Sequence, residues 1–270
     1  RARKSSAGYD LTSLLVGSEG TLGLITKLTL QLHPQPEAIS AGIVAFDSMQ
    51  QAVNAVIATI QMGLPMARIE FVDGATAQAF NDYAGADMRI QPHLLFELHG
   101  SHASVAENAK LFCDICQEYS GGGFQWSALP DDRTALWTMR HKGYYAVLAS
   151  RPGARAIVTD ICVPISALAQ AVEETHADIA RSAISGPILG HMGDGNFHAI
   201  LLIDPDNASE YRAAMQISDR MAERALALGG TCTGEHGIGM GKLKFMEQEH
   251  GLAWEVMRGL KRQMDPLNIL

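Results

Sequence analysis

The sequence predicts an α+β protein, built from an antiparallel sheet with helices packed on one face. Two observations lead to this prediction. From about residue 40 onward, short β-like runs alternate with amphipathic helical runs. Near residue 190, two β-like runs are separated by a turn too short to hold a crossover helix, which indicates an antiparallel pair. Short strands with such a pairing favour an α+β arrangement over a doubly wound parallel sheet.

The first 36 residues differ from this alternation. They begin with the helical patch YDLTSLLVG and the glycine-punctuated turn GSEGTLG. The β-like run LITKLTLQLHP follows, and Pro34 and Pro36 end it. Because a chain of 270 residues is long enough for about two domains, we expect a domain boundary at this proline-containing linker.

The alternating region begins after the linker. Ser48 is the expected N-cap of its first helix, and Gly63 follows the end of that helix. In chain order we predict strand 41–47, helix 48–63, strand 66–73, helix 74–85, strand 93–100, helix 104–123, strand 124–130, helix 132–150, strand 154–164 and helix 166–182. A hairpin at 188–204, a long helix at 208–230, a glycine-rich loop and two short helices complete the prediction.

Composition excludes several classes of function. The net charge is −8 and lysines and arginines do not cluster, so neither nucleic acid nor an anionic membrane surface is an expected partner. The apolar stretches are too short to span a membrane. Four cysteines do not form a disulfide framework, which favours a cytoplasmic location. The Cys113-x-x-Cys116 pair lies in a helical apolar pattern, so we expect buried, inert thiols.

The stretch GHMGDGNFH carries the first candidate site. It is not a phosphate loop, because a β-like run rather than a helix follows the glycines. If residues 193–196 form a four-residue turn, His191 faces His198 with their Cβ atoms about 5 Å apart, close enough to chelate one divalent ion. An equally good interpretation is that both histidines only form part of the hairpin and bind no metal.

The glycine-rich loop TGEHGIGMG carries the second candidate site. It presents Glu235 and His236 where four glycines allow close approach of the backbone. Two histidines and one carboxylate form a familiar ligand set for Zn²⁺, Mn²⁺ or Fe²⁺ with open positions. His236 would then be available as a general base. The residues alone do not establish that these two loops meet.

Several motifs together resemble the FAD-linked D-2-hydroxy acid dehydrogenases, which include D-lactate dehydrogenase, the flavin subunit of glycolate oxidase and D-2-hydroxyglutarate dehydrogenase. They occur in the family's order over nearly the whole chain: GYDLTSLLVGSEGTLGLITKLTLQLHPQPE, LWTMRHKG, GHMGDGNFH, TCTGEHGIGMGK and MDPLNIL. The resemblance implies roles for particular residues. These are His191, His198 and Glu235 as ligands of a divalent metal (Zn²⁺ or Mn²⁺), His236 as the base, Arg140 as the clamp on the substrate carboxylate, and Asn196 as a further substrate contact.

The resemblance also implies a domain organisation. Residues 1–35 would be the end of an FAD-binding domain, 36–228 a ferredoxin-like substrate or cap domain, and 229–270 a loop and helices that pack against the flavin domain. The residues expected to line the flavin site are Ser18, Glu19, Gly20, Gly23 and Ile25. Because most of the flavin domain would precede this chain, we expect the chain alone to bind FAD poorly and to be inactive.

The expected reaction is oxidation of a D-2-hydroxy acid to the 2-oxo acid. Val158 occupies the position where the hydroxyglutarate enzymes carry a lysine for a second carboxylate, which favours D-lactate. The electron acceptor would be a quinone, a cytochrome or another flavoprotein. Two alternatives remain: a glycolate oxidase subunit that acts with other subunits, and a metal-binding fragment without catalysis. A homodimer and peripheral association with the inner membrane also remain open.

Overall fold

The computed structural model describes residues 5–270, which divide into two units. The larger unit is Gln35–Gly234, and the smaller consists of the described residues up to Pro34 together with Glu235–Leu270. The larger unit holds every strand of the described chain. Among residues 5–270, no helix combines the length and the apolar character needed to cross a bilayer.

Eight strands form one sheet in the larger unit. They are β1 (Ala38–Ala45), β2 (Met66–Val72), β3 (His93–Gly100), β4 (Gly122–Ser127), β5 (Arg155–Val158), β6 (Ile161–Cys162), β7 (Ile188–Gly190) and β8 (Asn196–Ile203). Their order is β4-β1-β3-β2-β7-β8-β5, and β6 also pairs with β8. Every pairing is antiparallel. The predicted α+β class with an antiparallel sheet is therefore confirmed.

Seven α-helices of the larger unit correspond to the six predicted ones, in the same order. They are α2 (Met49–Gln61), α3 (Gly74–Ala84), α4 (His102–Glu118), α5 (Pro130–His141), α6 (Gly143–Ala149), α7 (Leu168–Ala180) and α8 (Ala208–Ala227). Ser48 caps α2 through its side chain, as predicted. Asp73 caps α3, and its other carboxylate oxygen accepts a hydrogen bond from Ile188 N at 2.8 Å. Asp73 thus joins α3 to β7.

The sheet is covered on both faces. One core cluster contains alternate residues of the strands, such as Phe96 and Phe197, packed against α2, α4, α7 and α8. The opposite face carries a second cluster, which includes Leu95, Phe80 of α3, Trp137 of α5 and Val147 of α6. The prediction of helices on one face did not include this second layer. It arises because β8 is buried at every residue and offers apolar side chains to both sides.

The smaller unit contains three described α-helices, α1 (Leu11–Leu15), α9 (Met246–His250) and α10 (Leu252–Met264). The strand predicted for LITKLTLQLHP was wrong: residues 24–34 have no regular secondary structure. Their alternating leucines are exposed, Leu24 by 80% and Leu32 by 86%. In the described part of the chain no strand pairs with this segment, and a strand needs a partner for its hydrogen bonds.

Two predicted elements are interrupted. The helix predicted at 132–150 is two helices, α5 and α6, which meet at Lys142. The strand predicted at 154–164 is divided into β5 and β6 by Thr159 and Asp160. Both of these residues are buried polar residues whose side chains bond to neighbouring elements. The second interruption lies at the candidate site.

Candidate functional site

A tight turn brings His191 and His198 together. After β7, residues Met192–Asp194 form a single 3-10 turn, and Gly195 closes it with a φ of 77°. Asp194 N and Asn196 N both donate to the His191 carbonyl, at 3.0 and 3.3 Å. The two imidazole rings then lie edge to face, with their centroids 5.8 Å apart.

The register of this hairpin differs from the prediction. Leu189, rather than His191, lies opposite His198 on the neighbouring strand. The turn lies one residue earlier than predicted: Asn196 N donates to the His191 carbonyl, so residues 192–195, rather than 193–196, form the four-residue connection. The structure nonetheless brings the two rings together, since a residue at the start of the turn still reaches its neighbour on β8.

Each ring is oriented by a hydrogen bond from its Nδ1. His198 is buried, and its Nδ1 donates to the carbonyl oxygen of Thr159 at 3.0 Å. The Nδ1 of His191 donates to Glu70 Oε1 at 2.7 Å. Such contacts fix the tautomer so that Nε2 carries the lone pair that could bind a metal.

The two histidines fit a divalent metal. Metal–nitrogen bonds of about 2.0–2.1 Å at a tetrahedral angle place two ring centroids roughly 5 Å apart. The observed 5.8 Å is close to this value, so a small rotation of the side chains would suffice. Both rings are held by acceptors on other elements, which is the arrangement found around metal-ligating histidines.

Arg140 lies on α5 and is largely buried and paired rather than exposed to solvent. Its side chain is 11% exposed, and its Nη2 donates to Glu70 Oε2 at 2.7 Å. Its Nε is buried and has no hydrogen-bond acceptor among the described residues. A guanidinium carries five N–H donors in a planar fork, so contact with Glu70 leaves donors that suit a second carboxylate.

Glu70 was not predicted as a site residue. It lies on β2 and joins His191 and Arg140 through its two carboxylate oxygens. Burial alone would raise the pKa of Glu70, but the hydrogen bond from His191 and the charge of Arg140 outweigh burial and lower that pKa below its ordinary value. The signal available in the sequence was a single acidic residue inside the apolar strand pattern MARIEFVD.

Asn196 occupies the first position of β8 beside a second unpredicted acid, Asp160. Its Nδ2 donates to Asp160 Oδ1 and to the Ile161 carbonyl, both at 2.7 Å. Since both partners are acceptors, the orientation of the amide is settled. Its Oδ1 is buried and accepts no hydrogen bond from the described residues. Such an atom is rare in proteins and is accounted for by a ligand, water or ion.

Asp160 also anchors the start of the glycine-rich loop. Its Oδ2 accepts hydrogen bonds from Thr233 Oγ1 at 2.7 Å and from Gly234 N at 2.8 Å. Glu235 and His236 follow Gly234 directly in the sequence and belong to the smaller unit. Within that unit, Glu235 Oε1 and His236 Nε2 lie 3.7 Å apart, and both side chains are partly exposed.

Replacing Gly234 by Ala is expected to disrupt this anchor. A Cβ at this position would lie 2.0 Å from Asn196 Nδ2, so Asn196 or the loop must move. Such overpacking costs about 1–3 kcal/mol. Urea unfolding measures this loss. Gly122→Ala is the control, because a Cβ there has open space. Equal stabilities of the two variants would contradict the prediction.

The residues expected to line the flavin site lie in one short segment of the smaller unit, residues 18–25. Glu19, with a φ of 51°, accepts hydrogen bonds from Ile238 N at 2.7 Å and from Gly239 N at 2.9 Å. The carbonyl of Ser18 accepts the N–H of Thr21 at 2.9 Å. The turn also contains Gly20 and Gly23, beside which there is open space, and Ile25 is 54% exposed. Backbone with open space beside it suits close approach of a planar cofactor.

Cys113 and Cys116, which were expected to be inert, are shielded from solvent at least in part. Cys116 is buried and Cys113 is partly buried, and neither forms a disulfide. Burial raises the pKa of both thiols above the ordinary value. A raised pKa keeps a thiol protonated and therefore unreactive.

Known proteins match all or nearly all of this chain in sequence. A probable mitochondrial D-lactate dehydrogenase of Danio rerio is 46% identical over the whole chain, which covers 54% of that protein. The glycolate oxidase subunit GlcD of Bacillus subtilis is 33% identical over 99% of the chain and 57% of its own length. The chain thus spans about half the length of these relatives.

A solved structure and a family model match as well. The 4-ethylphenol oxidase of Gulosibacter chungangensis superposes with a TM-score of 0.65 over 88% of this chain and 53% of its own, at 14% identity, which shows a shared fold. The family model of the C-terminal domain of FAD linked oxidases matches residues 35–270. Since this match covers most of the chain, the protein belongs to the FAD linked oxidases, of which residues 35–270 form the C-terminal domain.

Proposed function

We propose that the protein oxidises a D-2-hydroxy acid to the 2-oxo acid with FAD and a divalent metal. Among such acids, D-lactate is the preferred substrate. One observation carries the proposal: two imidazoles lie 5.8 Å apart with each Nδ1 held by the protein. Membership of the FAD linked oxidases indicates that the cofactor is FAD, and the names of similar proteins indicate the substrate class.

The metal would be held by His191, His198 and Glu235. Glu235 would be the third ligand, as the resemblance of the TGEHGIGMG loop to the family's motif implies. Either Zn²⁺ or Mn²⁺ suits two imidazoles and a carboxylate. A divalent ion held there would supply positive charge that makes the α-hydroxyl of a substrate more acidic.

The protein's own groups would bind the substrate and move its proton. Arg140 binds the carboxylate with the N–H groups that do not contact Glu70. Asn196 would be a further contact in the substrate site, where its buried Oδ1 can accept a hydrogen bond. His236 accepts the hydroxyl proton. FAD supplies the acceptor for the hydride from Cα, and Ser18, Glu19, Gly20, Gly23 and Ile25 would line its site.

A short substrate is favoured by Val158. This residue lies on β5 opposite Ile200 and is 37% exposed. It offers no charge to a second carboxylate, and a buried carboxylate without a partner is costly. D-lactate is therefore preferred to D-2-hydroxyglutarate.

Turnover tests the proposal. The protein is expressed from its complete reading frame, and reduction of a dye is measured with D-lactate, glycolate and D-2-hydroxyglutarate. We expect kcat/KM to be highest for D-lactate and at least about tenfold lower for D-2-hydroxyglutarate, a difference of about 1.4 kcal/mol. Absence of turnover with any D-2-hydroxy acid would refute the proposed reaction.

Two alternatives have separate tests. The similarity to GlcD, which is a subunit, favours a glycolate oxidase that acts in a complex. Co-purification of other subunits, together with a preference for glycolate, would identify this alternative. A metal-binding chain without catalysis would bind Zn²⁺ or Mn²⁺ and remain inactive in every assay. The electron acceptor, a homodimer and the cytoplasmic location stay predictions.

A further inference from the structure

Glu70 makes two separate contacts with its two carboxylate oxygens. Oε1 accepts from His191 Nδ1 and Oε2 accepts from Arg140 Nη2, each at 2.7 Å. The carboxylate is only 10% exposed, so water does not substitute easily for either partner. The three residues are far apart in the sequence, and β2, α5 and the turn after β7 bring them together.

The neighbouring strand offers a comparison. Glu97 on β3 is also buried, and it accepts from Trp137 Nε1 at 2.6 Å and from His99 Nε2 at 2.7 Å. Trp137 lies one helical turn before Arg140 on α5. Both glutamates therefore attach α5 to the sheet, but only Glu70 also contacts a histidine of the candidate metal pair. Attachment of the helix alone does not require the contact with His191.

We propose that Glu70 is a positioning residue that couples the metal site to the substrate-carboxylate site. This inference rests on the proposed function. One oxygen holds the His191 ring with Nε2 directed as a ligand, and the other sets the plane of the Arg140 guanidinium. The orientation of the ligand and that of the clamp are thereby fixed by one rigid group on a strand. The hydroxyl and the carboxylate of a 2-hydroxy acid are separated by one carbon, so both must be recognised at a fixed spacing.

Glu70→Gln is the informative substitution. An amide keeps the shape of the side chain but has one acceptor oxygen and one donor nitrogen, so only one of the two donors can keep its acceptor. At the Arg140 side or at the His191 side, two donors would then face each other. Glu70→Asp keeps two acceptor oxygens on a side chain shorter by one methylene, and it serves as the second variant.

The experiment has two readouts. Titration of the complete protein with Zn²⁺ and with Mn²⁺ measures metal affinity, and its steady-state kinetics at saturating metal measure KM and kcat for D-lactate. For Glu70→Gln we expect metal affinity to fall about 10–100-fold, and KM to rise about tenfold or more while kcat changes less. Glu97→Gln is the matched control, which lowers thermal stability but leaves metal affinity and KM within about twofold.

The outcomes separate the possible failures. Unchanged metal affinity and KM in folded Glu70→Gln would overturn the positioning role while leaving the proposed function intact. Equal losses in Glu70→Gln and Glu97→Gln would also overturn it, because they would show that only attachment of α5 matters. If Glu70→Gln does not fold, Glu70→Asp decides between the same results. If the unaltered complete protein binds neither metal, the proposed function fails first and the inference fails with it.

Discussion

Replacement of His198 by Ala is expected to remove tight binding of a divalent metal and, with it, turnover. His198 is 4% exposed, and its Nδ1 hydrogen bond to Thr159 would direct Nε2 toward the proposed metal. Loss of an outer-shell partner alone lowers metal affinity by about 10–100-fold, so loss of a ligand should lower it by at least about 100-fold. Titration of the complete protein with Zn²⁺ or Mn²⁺ measures the affinity directly, independently of turnover.

A matched control is available in the same sheet. His93 on β3 is also 4% exposed, and its Nδ1 contacts the carbonyl oxygen of Gln91 at 2.8 Å. His93→Ala removes an equally buried imidazole, so it should lower stability to a similar degree and leave metal affinity unchanged. Equal loss of affinity in the two variants would show that the metal responds to general loosening of the sheet. Full retention of affinity by His198→Ala would refute the ligand assignment.

The local parts of the fold could be predicted from the sequence. Alternation and helical periodicity placed β1, α2, β2, α3, β3 and α4 in the correct order. Ser48 and the glycine that follows α2 marked the ends of that helix correctly. These features depend on neighbouring residues alone, which is why one sequence suffices.

Long-range contacts could not be predicted in this way. Glu70 meets His191 across 121 positions of the chain because β2 pairs with β7, and no periodic pattern specifies which strands become neighbours. Asp160 meets Gly234 for a similar reason. Acids at interrupted or otherwise apolar strand positions were the available signal, since a buried carboxylate requires partners.

The hairpin illustrates a third kind of limit. The sequence predicted a turn between two strands and the proximity of His191 and His198, but it assumed the wrong register. Glycines at 193 and 195 permit several turn types, and each type shifts the pairing. The choice depends on contacts outside the hairpin, such as the hydrogen bond from Val163 N to the Gly195 carbonyl at 3.0 Å. The candidate ligands were thus predictable, whereas their geometry was not.

Replacement of His236 by Ala is expected to lower kcat for D-lactate by about 10²–10⁴-fold, the usual contribution of a general base. The side chain is 42% exposed, so its removal should cost little folding stability. Metal affinity should stay within a few-fold, because His236 is proposed to accept the proton rather than to bind the ion. Dye reduction by the complete protein measures kcat, and metal titration is the parallel readout.

Chemical rescue distinguishes a base from a structural histidine at this position. Imidazole added to His236→Ala should restore part of the lost turnover, because a free imidazole can enter the vacated space and accept the hydroxyl proton. His102→Ala is the control, since that side chain on α4 is 82% exposed, and we expect full activity from it with or without imidazole. Undiminished activity of His236→Ala would exclude it as the base. If His236→Ala loses metal together with activity, His236 would instead belong to the ligand set. Removal of a base alone leaves the metal bound.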